Sequence, residues 1–327
     1  MKPKSIVVIG TGYWGKNLVR NFSELGVLLG IYDVTQDNID KMKESFHVDQ
    51  VYSSLDEIWK DDGVKGVAIA TPAATHYEMA KAAILAGKDV FVEKPLALEV
   101  SEAEELIQLA QENNRILMVD HLLQYHGAVI KLKEIIDNGK LGKLQYIYSN
   151  RLNIGKLRSE ENILWSFAPH DISVILELVQ QQPLKVSAFG EAFLQDDIYD
   201  TTLTDLSFEH RIKAHIYVSW LHPFKEQKLV VIGSQGMAVF NDMEQEEKLV
   251  VYPHKVEWIK QVPVASKAQK EVIAFEKTEP LKEACQHFLT CMDTRQKAKT
   301  DGNEALAVLK VLQQAQEYLD KENNHDL

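Results

Sequence analysis

The sequence predicts an α/β protein whose first part is a doubly wound parallel sheet and whose second part is an α/β unit built on neighbouring strands. Three observations predict this fold class. An apolar run leads directly into a glycine-rich turn, strand and helix patterns then alternate, and period-two patterns dominate the second half of the chain. The 327 residues are sufficient for two domains with separate cores.

The first element is the β-branched run 5–9, which is typical of a strand buried on both faces. It is followed at once by Gly10-Thr11-Gly12-Tyr13-Trp14-Gly15, a G-x-G-x-x-G pattern, and by a helix predicted over 16–25. In this context the glycines allow a tight turn, close approach of a pyrophosphate and close packing of the helix on the strand. The helix amino end would then face the phosphates.

The second strand is predicted over 27–32 and ends at Asp33, 23 positions after Gly10. A carboxylate at this place accepts hydrogen bonds from the adenosine ribose and repels a 2′-phosphate, which favours NAD over NADP. The alternative is that Asp33 is only a turn residue.

Further strands are predicted over 64–70, 89–92 and 115–119, and helices over 76–86 and 102–113. Thr75 is expected to cap the helix that follows Thr71-Pro72. The continuing alternation of strand and helix predicts a parallel, doubly wound sheet.

In the second half, strands are predicted over 185–193, 202–209, 212–220 and 228–240, and closing helices over 280–292 and 303–320. A further helix is predicted to begin at Pro169, with His170 as its second residue, and to continue through the amphipathic run 172–178. A helix amino end disfavours a charged imidazolium, so His170 is expected to stay neutral and able to accept a proton.

Composition excludes several classes of protein. A net charge of −12 argues against a general nucleic-acid surface, and no stretch approaches the roughly 20 apolar residues of a membrane span. The amino terminus does not resemble a secretory signal, which predicts a cytoplasmic protein. No histidine pair has the spacing of a helical zinc site, so no metal is expected, and Cys285 and Cys291 are interpreted as core or surface thiols.

Lys94 lies in Glu93-Lys94-Pro95, directly after a predicted parallel strand. Ligands bind at the carboxyl ends of strands in such sheets, and an ammonium there can hold a substrate hydroxyl beside a nicotinamide. Together with the glycine-rich turn this suggests a dehydrogenase. The alternative is a solvated strand end.

These motifs, with Thr71-Pro72 and His76 and with the later segments 138–143, 233–236 and 300–302, resemble the glucose-fructose oxidoreductase, inositol dehydrogenase and MocA family over nearly the whole chain. The resemblance implies a Rossmann domain, placed at 1–121, and a substrate-binding and oligomerisation domain with an open, mostly antiparallel sheet, placed at 122–327. The last helices could pack back on the first domain. A homodimer or homotetramer is expected.

The resemblance also implies that Lys94 and His170 are catalytic. Many relatives carry an aspartate four residues before this histidine, where this chain has Ser166, and Asp171 is not assigned that role because it points elsewhere around the helix. Without the resemblance, His170 would be interpreted as a capped-turn histidine at a domain interface. The residues expected to contact the cofactor are Gly10, Thr11, Gly12, Tyr13, Trp14, Gly15, Asp33, Thr71, Pro72, His76, Glu93 and Lys94.

The segment 150–159 gathers Arg151, Lys156 and Arg158, which could contact the diphosphate of a nucleotide sugar. A solvated loop is the equal alternative. The segment 158–171 resembles the branch of the family that oxidises C3 of UDP-N-acetylglucosamine or a related UDP-sugar. The residues expected to contact the substrate are His121, Gln124, Tyr125, Arg151, Arg158, Asn162 and Trp165, although core or cap roles are open for the first three.

Other functions remain open at this point. They are a dehydrogenase of a free polyol such as an inositol, a non-catalytic dinucleotide-binding sensor, and a glycosidase that uses bound NAD transiently.

Overall fold

The computed structural model of the protein describes residues 4–155 and 157–323. Its first elements alternate strictly between strand and helix. In chain order they are β1 (Ile6–Ile9), α1 (Gly15–Glu24), β2 (Leu28–Tyr32), α2 (Gln36–Ser45), β3 (Gln50–Val51), α3 (Leu55–Lys60), β4 (Gly66–Ile69), α4 (His76–Leu85), β5 (Asp89–Val92), α5 (Val100–Glu112) and β6 (Leu117–Val119).

The remaining elements begin with a helix and then form a strand-rich region. They are α6 (Gly127–Asp137), β7 (Leu144–Leu152), α7 (Ile163–Val179), β8 (Lys185–Glu191), β9 (Thr201–Ser207), β10 (Lys213–Ser219), β11 (Glu226–Gly233), β12 (Met237–Asn241), β13 (Leu249–Tyr252), β14 (Lys255–Ile259), β15 (Val262–Ser266), β16 (Glu271–Val272), α8 (Pro280–Thr294) and α9 (Gly302–Asn323).

The chain divides into two compact units. Of the described residues, unit 1 contains 4–125 and 279–309, and unit 2 contains 126–155, 157–278 and 310–323. Unit 1 therefore includes α8 and the first part of α9, which are remote in sequence from its sheet.

Unit 1 is built on a six-stranded parallel sheet in the order β3-β2-β1-β4-β5-β6. From β1, the strands β2 and β3 extend the sheet in one direction, and β4, β5 and β6 extend it in the other. The carboxyl ends of β1 and β4 therefore form the switch point where such folds bind ligands. Aromatic side chains join the layers: Phe91 on β5 contacts Phe22 of α1 and Phe288 of α8, with ring centroids 6.4 and 5.6 Å apart. This packing explains why α8 belongs to unit 1.

Unit 2 is built on an eight-stranded sheet in the order β16-β13-β12-β11-β7-β10-β9-β8. β7 and β10 pair in parallel and the other neighbours are antiparallel. Burial alternates along β9 and β10, so one face of the sheet is covered, and α7 packs on β7, β9 and β10. The predicted α/β class, with a parallel first sheet and a mostly antiparallel second sheet, is confirmed.

Several local predictions were incomplete or wrong. The segment 228–240, predicted as one strand, is the antiparallel pair β11 and β12, joined by a turn at 234–236. The short elements α2, β3 and α3 were not predicted. Within the ranges 4–155 and 157–323, no helix is both long enough and apolar enough to cross a membrane.

Candidate active site

The glycine-rich turn joins β1 to α1 in unit 1. Gly10 has φ +84°, a left-handed conformation that a side chain rarely adopts, and a Cβ on Gly15 would lie only 1.9 Å from the carbonyl oxygen of Gly10. A Cβ on Gly12, in contrast, would meet nothing within 4 Å. The turn therefore packs tightly at both ends and leaves open space in its middle, at the amino end of α1, which fits a bound pyrophosphate.

Asp33 follows β2 and is bonded to this turn. Its Oδ2 accepts hydrogen bonds from the backbone N–H of Thr11 at 2.6 Å and from Thr11 Oγ1 at 3.0 Å, and its Oδ1 accepts from Thr35 N at 2.8 Å. Burial tends to raise the pKa of Asp33, but these bonds outweigh it and hold the pKa below its usual value. A fixed negative charge thus lies at the place predicted for the adenosine ribose.

Tyr13 and Trp14 occupy the variable positions of the turn and differ in exposure. Tyr13 is 74% exposed, whereas Trp14 is half-buried and packs against the core of unit 1. Their side chains therefore cannot have the same role: Tyr13 is available to a ligand, and Trp14 is part of the packing beneath the turn.

The end of β4 is held by a side-chain network. Thr71 Oγ1 lies 2.7 Å from Thr75 Oγ1, which donates to the carbonyl of Pro72, also at 2.7 Å. Thr75 is the residue before α4, as predicted, but its hydroxyl makes no cap hydrogen bond to that helix. Thr71 and Pro72 thus form a structured edge beside the glycine-rich turn, since β4 neighbours β1.

His76 begins α4, and its ring lies between two backbone carbonyls. Nδ1 is 2.7 Å from Pro95 O and Nε2 is 2.9 Å from Thr71 O, and the residue is 1% exposed. Burial lowers the pKa of the ring, and a neutral ring can donate to only one of these carbonyls. The side chain of His76 therefore connects the loop after β4 to the Glu93-Lys94-Pro95 segment and holds these two parts of the site together.

Lys94 follows β5, and its side chain is half-buried. Because β5 lies two strands from β1, Lys94 is roughly 10 Å from the glycine-rich turn along the same sheet edge. This distance is suitable for a group that acts on a substrate beside the nicotinamide end of a dinucleotide.

Two residues of this edge form a feature that the sequence analysis did not identify. Glu93 follows β5 and Asp120 follows β6, and the two carboxyls are neighbours in the interior of unit 1. The available signal was the position of Asp120 directly after a buried strand, parallel to the position of Glu93.

The predicted substrate residues after β6 are buried within unit 1. His121 Nδ1 lies 2.5 Å from Glu304 Oε2, Gln124 Nε2 donates to Glu304 Oε1 at 2.7 Å, and Tyr125 Oη lies 3.3 Å from Thr300 Oγ1. All three are less than 10% exposed. These side chains connect the end of β6 to the start of α9, which is the core role that the sequence left open.

α7 carries His170 in unit 2. It begins at Ile163, so Pro169 and His170 are its seventh and eighth residues, not its first and second. The expectation that a helix amino end keeps His170 neutral is therefore wrong, because the helix dipole acts mainly within the first turn. The misplaced start arose from Pro169, which here lies inside the helix although proline is usual at a first turn.

Asn162 and Trp165, both predicted to contact the substrate, organise the start of α7. Asn162 Oδ1 caps the helix by accepting from Trp165 N at 3.2 Å. Asn162 Nδ2 and Trp165 Nε1 both donate to Gln316 Oε1, at 2.8 and 3.1 Å. Asn162 is 9% exposed, so its side-chain groups serve the fold of unit 2.

The three predicted cations of segment 150–159 have different surroundings. Arg151 on β7 forms an ion pair with Asp171 on α7, with Nε to Oδ2 at 2.6 Å, and both side chains are nearly buried. Arg158 is more exposed and pairs with the neighbouring Glu161, at 3.0 Å. Lys156 lies outside the described residues. Asp171 pairs with the guanidinium of Arg151, whereas Arg158 is accessible. The diphosphate contact of Arg151 stays a prediction.

Comparisons with known proteins agree with this architecture. A model of an oxidoreductase family with an NAD-binding Rossmann fold matches residues 4–121, and a model of the GFO/IDH/MocA C-terminal domain matches residues 129–239. The chain belongs to the GFO/IDH/MocA family. The predicted family is thus confirmed, and the match to its NAD-binding domain supports NAD as the cofactor.

Among curated relatives in the GFO/IDH/MocA family, UDP-N-acetylglucosamine 3-dehydrogenase from Acidithiobacillus ferrooxidans is 28% identical over 190 residues. The alignment covers 58% of this chain and 58% of that enzyme, little more than half of each. Myo-inositol 2-dehydrogenase from Thermotoga maritima is 26% identical over 259 residues, which are 75% of this chain and 77% of that enzyme.

Solved structures of this family share the complete fold. The Acidithiobacillus ferrooxidans UDP-N-acetylglucosamine 3-dehydrogenase superimposes with a TM-score of 0.86 at 22% identity, covering 98% of this chain and 99% of that chain. An oxidoreductase from Magnetospirillum magnetotacticum superimposes with a TM-score of 0.85 at 27% identity, covering 96% and 100%. At these identities the agreement concerns the fold.

Proposed function

We propose that this protein is an NAD-dependent oxidoreductase that transfers hydride between a sugar carbinol and the nicotinamide. The substrate that we propose is a UDP-N-acetylhexosamine, which is oxidised at C3. The observation that carries the proposal is the arrangement at one edge of the unit 1 sheet. The open centre of the glycine-rich turn, the ionised Asp33 and the half-buried Lys94 follow β1, β2 and β5 in one parallel sheet.

The proposed chemistry assigns one role to each catalytic residue. Bound NAD supplies the hydride acceptor. Lys94 stabilises the negative charge that develops on the carbinol oxygen, and His170 accepts the hydroxyl proton. Position 166 holds serine, so no carboxylate four residues before His170 orients the imidazole through that position.

The nature of Asp33 supports the choice of NAD. Its carboxylate stays ionised because Thr11, Thr35 and Asn38 donate hydrogen bonds to it. An ionised carboxylate accepts from ribose hydroxyls and repels a 2′-phosphate. NADP is therefore the less favourable cofactor.

Support for a UDP-sugar comes from the Acidithiobacillus ferrooxidans relative, which is named for UDP-N-acetylglucosamine, and from Arg158. Arg158 is the accessible arginine of segment 150–159, and guanidinium groups match the geometry of phosphate oxygens. Glu161 would have to exchange its contact with Arg158 for solvent when a diphosphate binds.

A free polyol is a second candidate substrate, favoured by one observation. The Thermotoga maritima myo-inositol dehydrogenase aligns over 75% of this chain, more than the UDP-sugar enzyme does. In that case Arg158 would have no phosphate to bind.

The test is an assay of the purified protein with NAD and a panel of UDP-sugars and free polyols, with chemical trapping of any ketone because the oxidation can be uphill. Formation of NADH and the mass of the trapped product are measured. A signal with UDP-N-acetylhexosamines supports the proposal and identifies the oxidised carbon. Oxidation of polyols alone would replace the substrate, and absence of any oxidation with NAD still bound would favour the sensor alternative.

Arg158→Ala tests the diphosphate contact, with Arg211→Ala as its matched control. Arg158 follows the carboxyl end of β7, whereas Arg211 precedes the amino end of β10. Because these two strands pair in parallel, the two arginines lie towards opposite strand ends of one sheet. We expect Arg158→Ala to weaken the apparent affinity for a UDP-sugar by about tenfold and Arg211→Ala to leave it unchanged. Equal affinities in both variants would refute the diphosphate contact.

A further inference from the structure

The carboxyls of Glu93 and Asp120 are brought together by strand register. β5 and β6 are adjacent and parallel, with Val92 paired to Val119, and the N–H of Asp120 donates to the carbonyl of Val92 at 2.9 Å. Glu93 and Asp120 each follow the paired residue by one position. Equivalent positions on neighbouring parallel strands project to the same side of a sheet, so the two side chains lie next to each other.

This pair is buried at its polar atoms. Asp120 is 0% exposed, and both of its carboxyl oxygens and Oε1 of Glu93 are inaccessible to solvent. Treated as carboxylates, these three oxygens find no hydrogen-bond donor within the part of the chain that the structure describes. Two ionised carboxylates in this place would combine charge repulsion with lost hydration, which is unfavourable. A single proton between them removes both problems, since one carboxyl then donates to the other.

The groups around the pair do not supply enough positive charge to ionise both members. Lys94 and the N–H of Trp14 lower the pKa of each carboxyl, and His121 lowers that of Asp120. Burial, followed by the charge of Asp120, nevertheless raises the pKa of Glu93 well above its usual value, and burial raises the pKa of Asp120. The other titratable neighbours are Cys285 and Tyr125, whose pKa values are raised first by burial and further by charge from this pair.

The N–H of Trp14 connects the pair to the glycine-rich turn. Trp14 Nε1 is buried and has no partner that meets hydrogen-bond geometry among the described groups, yet it lowers the pKa of both carboxyls. Lys94 is adjacent to Glu93 in the chain. The pair therefore lies between the predicted phosphate-binding turn and the predicted catalytic lysine within unit 1.

We propose that Glu93 and Asp120 share one proton at neutral pH and that the single negative charge left on the pair positions Lys94 and the indole of Trp14. Glu93 and Asp120 are thus positioning residues for the lysine. This role in catalysis rests on the proposed dehydrogenase function, whereas the shared proton does not. In the described residues no group of three or more ligating side chains could hold a metal there instead.

The shared proton is tested directly by infrared spectroscopy. The wild-type protein is expected to show the carbonyl stretch of a protonated carboxylic acid at pH 8, and Glu93→Gln is expected to lack it. In this variant the amide donates to Asp120, so the pair keeps one negative charge and needs no proton. Glu105→Gln is the control, because Lys81 and Tyr77 hold the pKa of Glu105 below its usual value and no protonated signal should be lost. Absence of the protonated signal in the wild type would overturn the proposal without reference to any variant.

The pH dependence of stability is a second, independent test. Above the ordinary glutamate pKa of 4.5 and below the raised folded value, the folded chain holds a proton that the unfolded chain has released. Stability from this proton is therefore present at low pH and is lost as pH rises, by up to tenfold in the folding equilibrium constant per pH unit. Asp120→Asn and Glu93→Gln should each remove this component of the slope. Identical slopes in the wild type and both variants would contradict the shared proton.

The positioning role is tested by comparing single and double amide variants. Asp120→Asn leaves one negative charge, on Glu93, and is expected to keep kcat within about threefold of the wild type. Glu93→Gln combined with Asp120→Asn removes the charge and should lower kcat by about tenfold or more. A parallel loss of kcat in the single and double variants would refute positioning by charge. If the wild type oxidises no substrate, the proposed function fails, while the infrared and stability tests still decide the shared proton.

Discussion

Arg151 on β7 and Asp171 on α7 form a nearly buried ion pair with two hydrogen bonds, at 2.6 and 3.2 Å. Ser149, two residues earlier on the same strand, donates to Asp171 Oδ1 at 2.6 Å. When the side-chain amide of Gln227 is oriented with its oxygen towards Arg151, that oxygen accepts a hydrogen bond from Arg151 Nη1 at 3.0 Å. The helix that carries His170 is therefore fastened to the sheet by the residue directly after the histidine.

This relationship predicts that Arg151→Ala destabilises unit 2. Removing the guanidinium leaves the buried carboxylate of Asp171 with the hydrogen bond from Ser149 and no cation, as far as the described residues show. Breaking a buried pair from one side is expected to cost about 3 kcal/mol. Urea denaturation monitored by circular dichroism measures the change, with Arg211→Ala as the exposed control. Unchanged stability together with lost affinity for a UDP-sugar would instead favour the diphosphate role predicted from the sequence.

The sequence was sufficient for most of unit 1 because buried parallel strands and their turns are local signals. The run at β1, the glycine-rich turn and α1 are recognisable within 20 consecutive residues, and the observed bounds differ by one residue at the helix. α2, β3 and α3 were missed because segment 36–60 is polar and its strand has only two residues. Such elements are stabilised by their place at a sheet edge, which sequence pattern does not reveal.

The candidate site was less predictable because its decisive contacts join remote residues. Arg151 was interpreted as a ligand contact because its own segment is basic, but its partner lies on α7. Asp120 was overlooked because its significance depends on the register between β5 and β6. Pro169 indicated a helix start, but the helix begins six residues earlier, after the cap Asn162. For Arg151 and Asp120 the missing information was a partner that is remote in the sequence.

Two glycines of the turn are expected to respond differently to alanine. Gly15→Ala places a Cβ 1.9 Å from the Gly10 carbonyl and should destabilise unit 1 by about 3 kcal/mol, because backbone on both sides must move. Gly12→Ala meets nothing within 4 Å and should leave stability unchanged while weakening NAD binding by about tenfold, since the methyl group would fill the space of the pyrophosphate.

Thermal melting and fluorescence titration with NAD measure the two effects separately. Equal NAD affinity in Gly12→Ala and the wild type would show that the pyrophosphate does not lie against this turn.

Asp33 is expected to determine the preference between NAD and NADP. Asp33→Asn keeps an acceptor for Thr11 but removes the charge, so repulsion of a 2′-phosphate should fall and the ratio of NADP to NAD affinity should rise by about tenfold, or about 1.4 kcal/mol. Dissociation constants of both cofactors are measured by titration calorimetry. Asp37→Asn, an exposed change on α2, is the control, and the same ratio in both variants would show that Asp33 is only a turn residue.

Lys94→Met tests the catalytic assignment while preserving the length of the side chain. Because the ammonium is proposed to stabilise charge that develops only during hydride transfer, its loss should lower kcat by roughly 10²- to 10⁴-fold and leave the affinity for NAD nearly unchanged. Lys81→Met is the matched control, since Lys81 lies on α4 in the same unit and pairs with Glu105 at the surface. Steady-state kinetics with the substrate found in the panel assay, together with NAD titration, separate binding from chemistry. Turnover like that of the wild type in Lys94→Met would remove Lys94 from the mechanism, and a loss of NAD affinity as large as the loss of kcat would assign the lysine to cofactor binding.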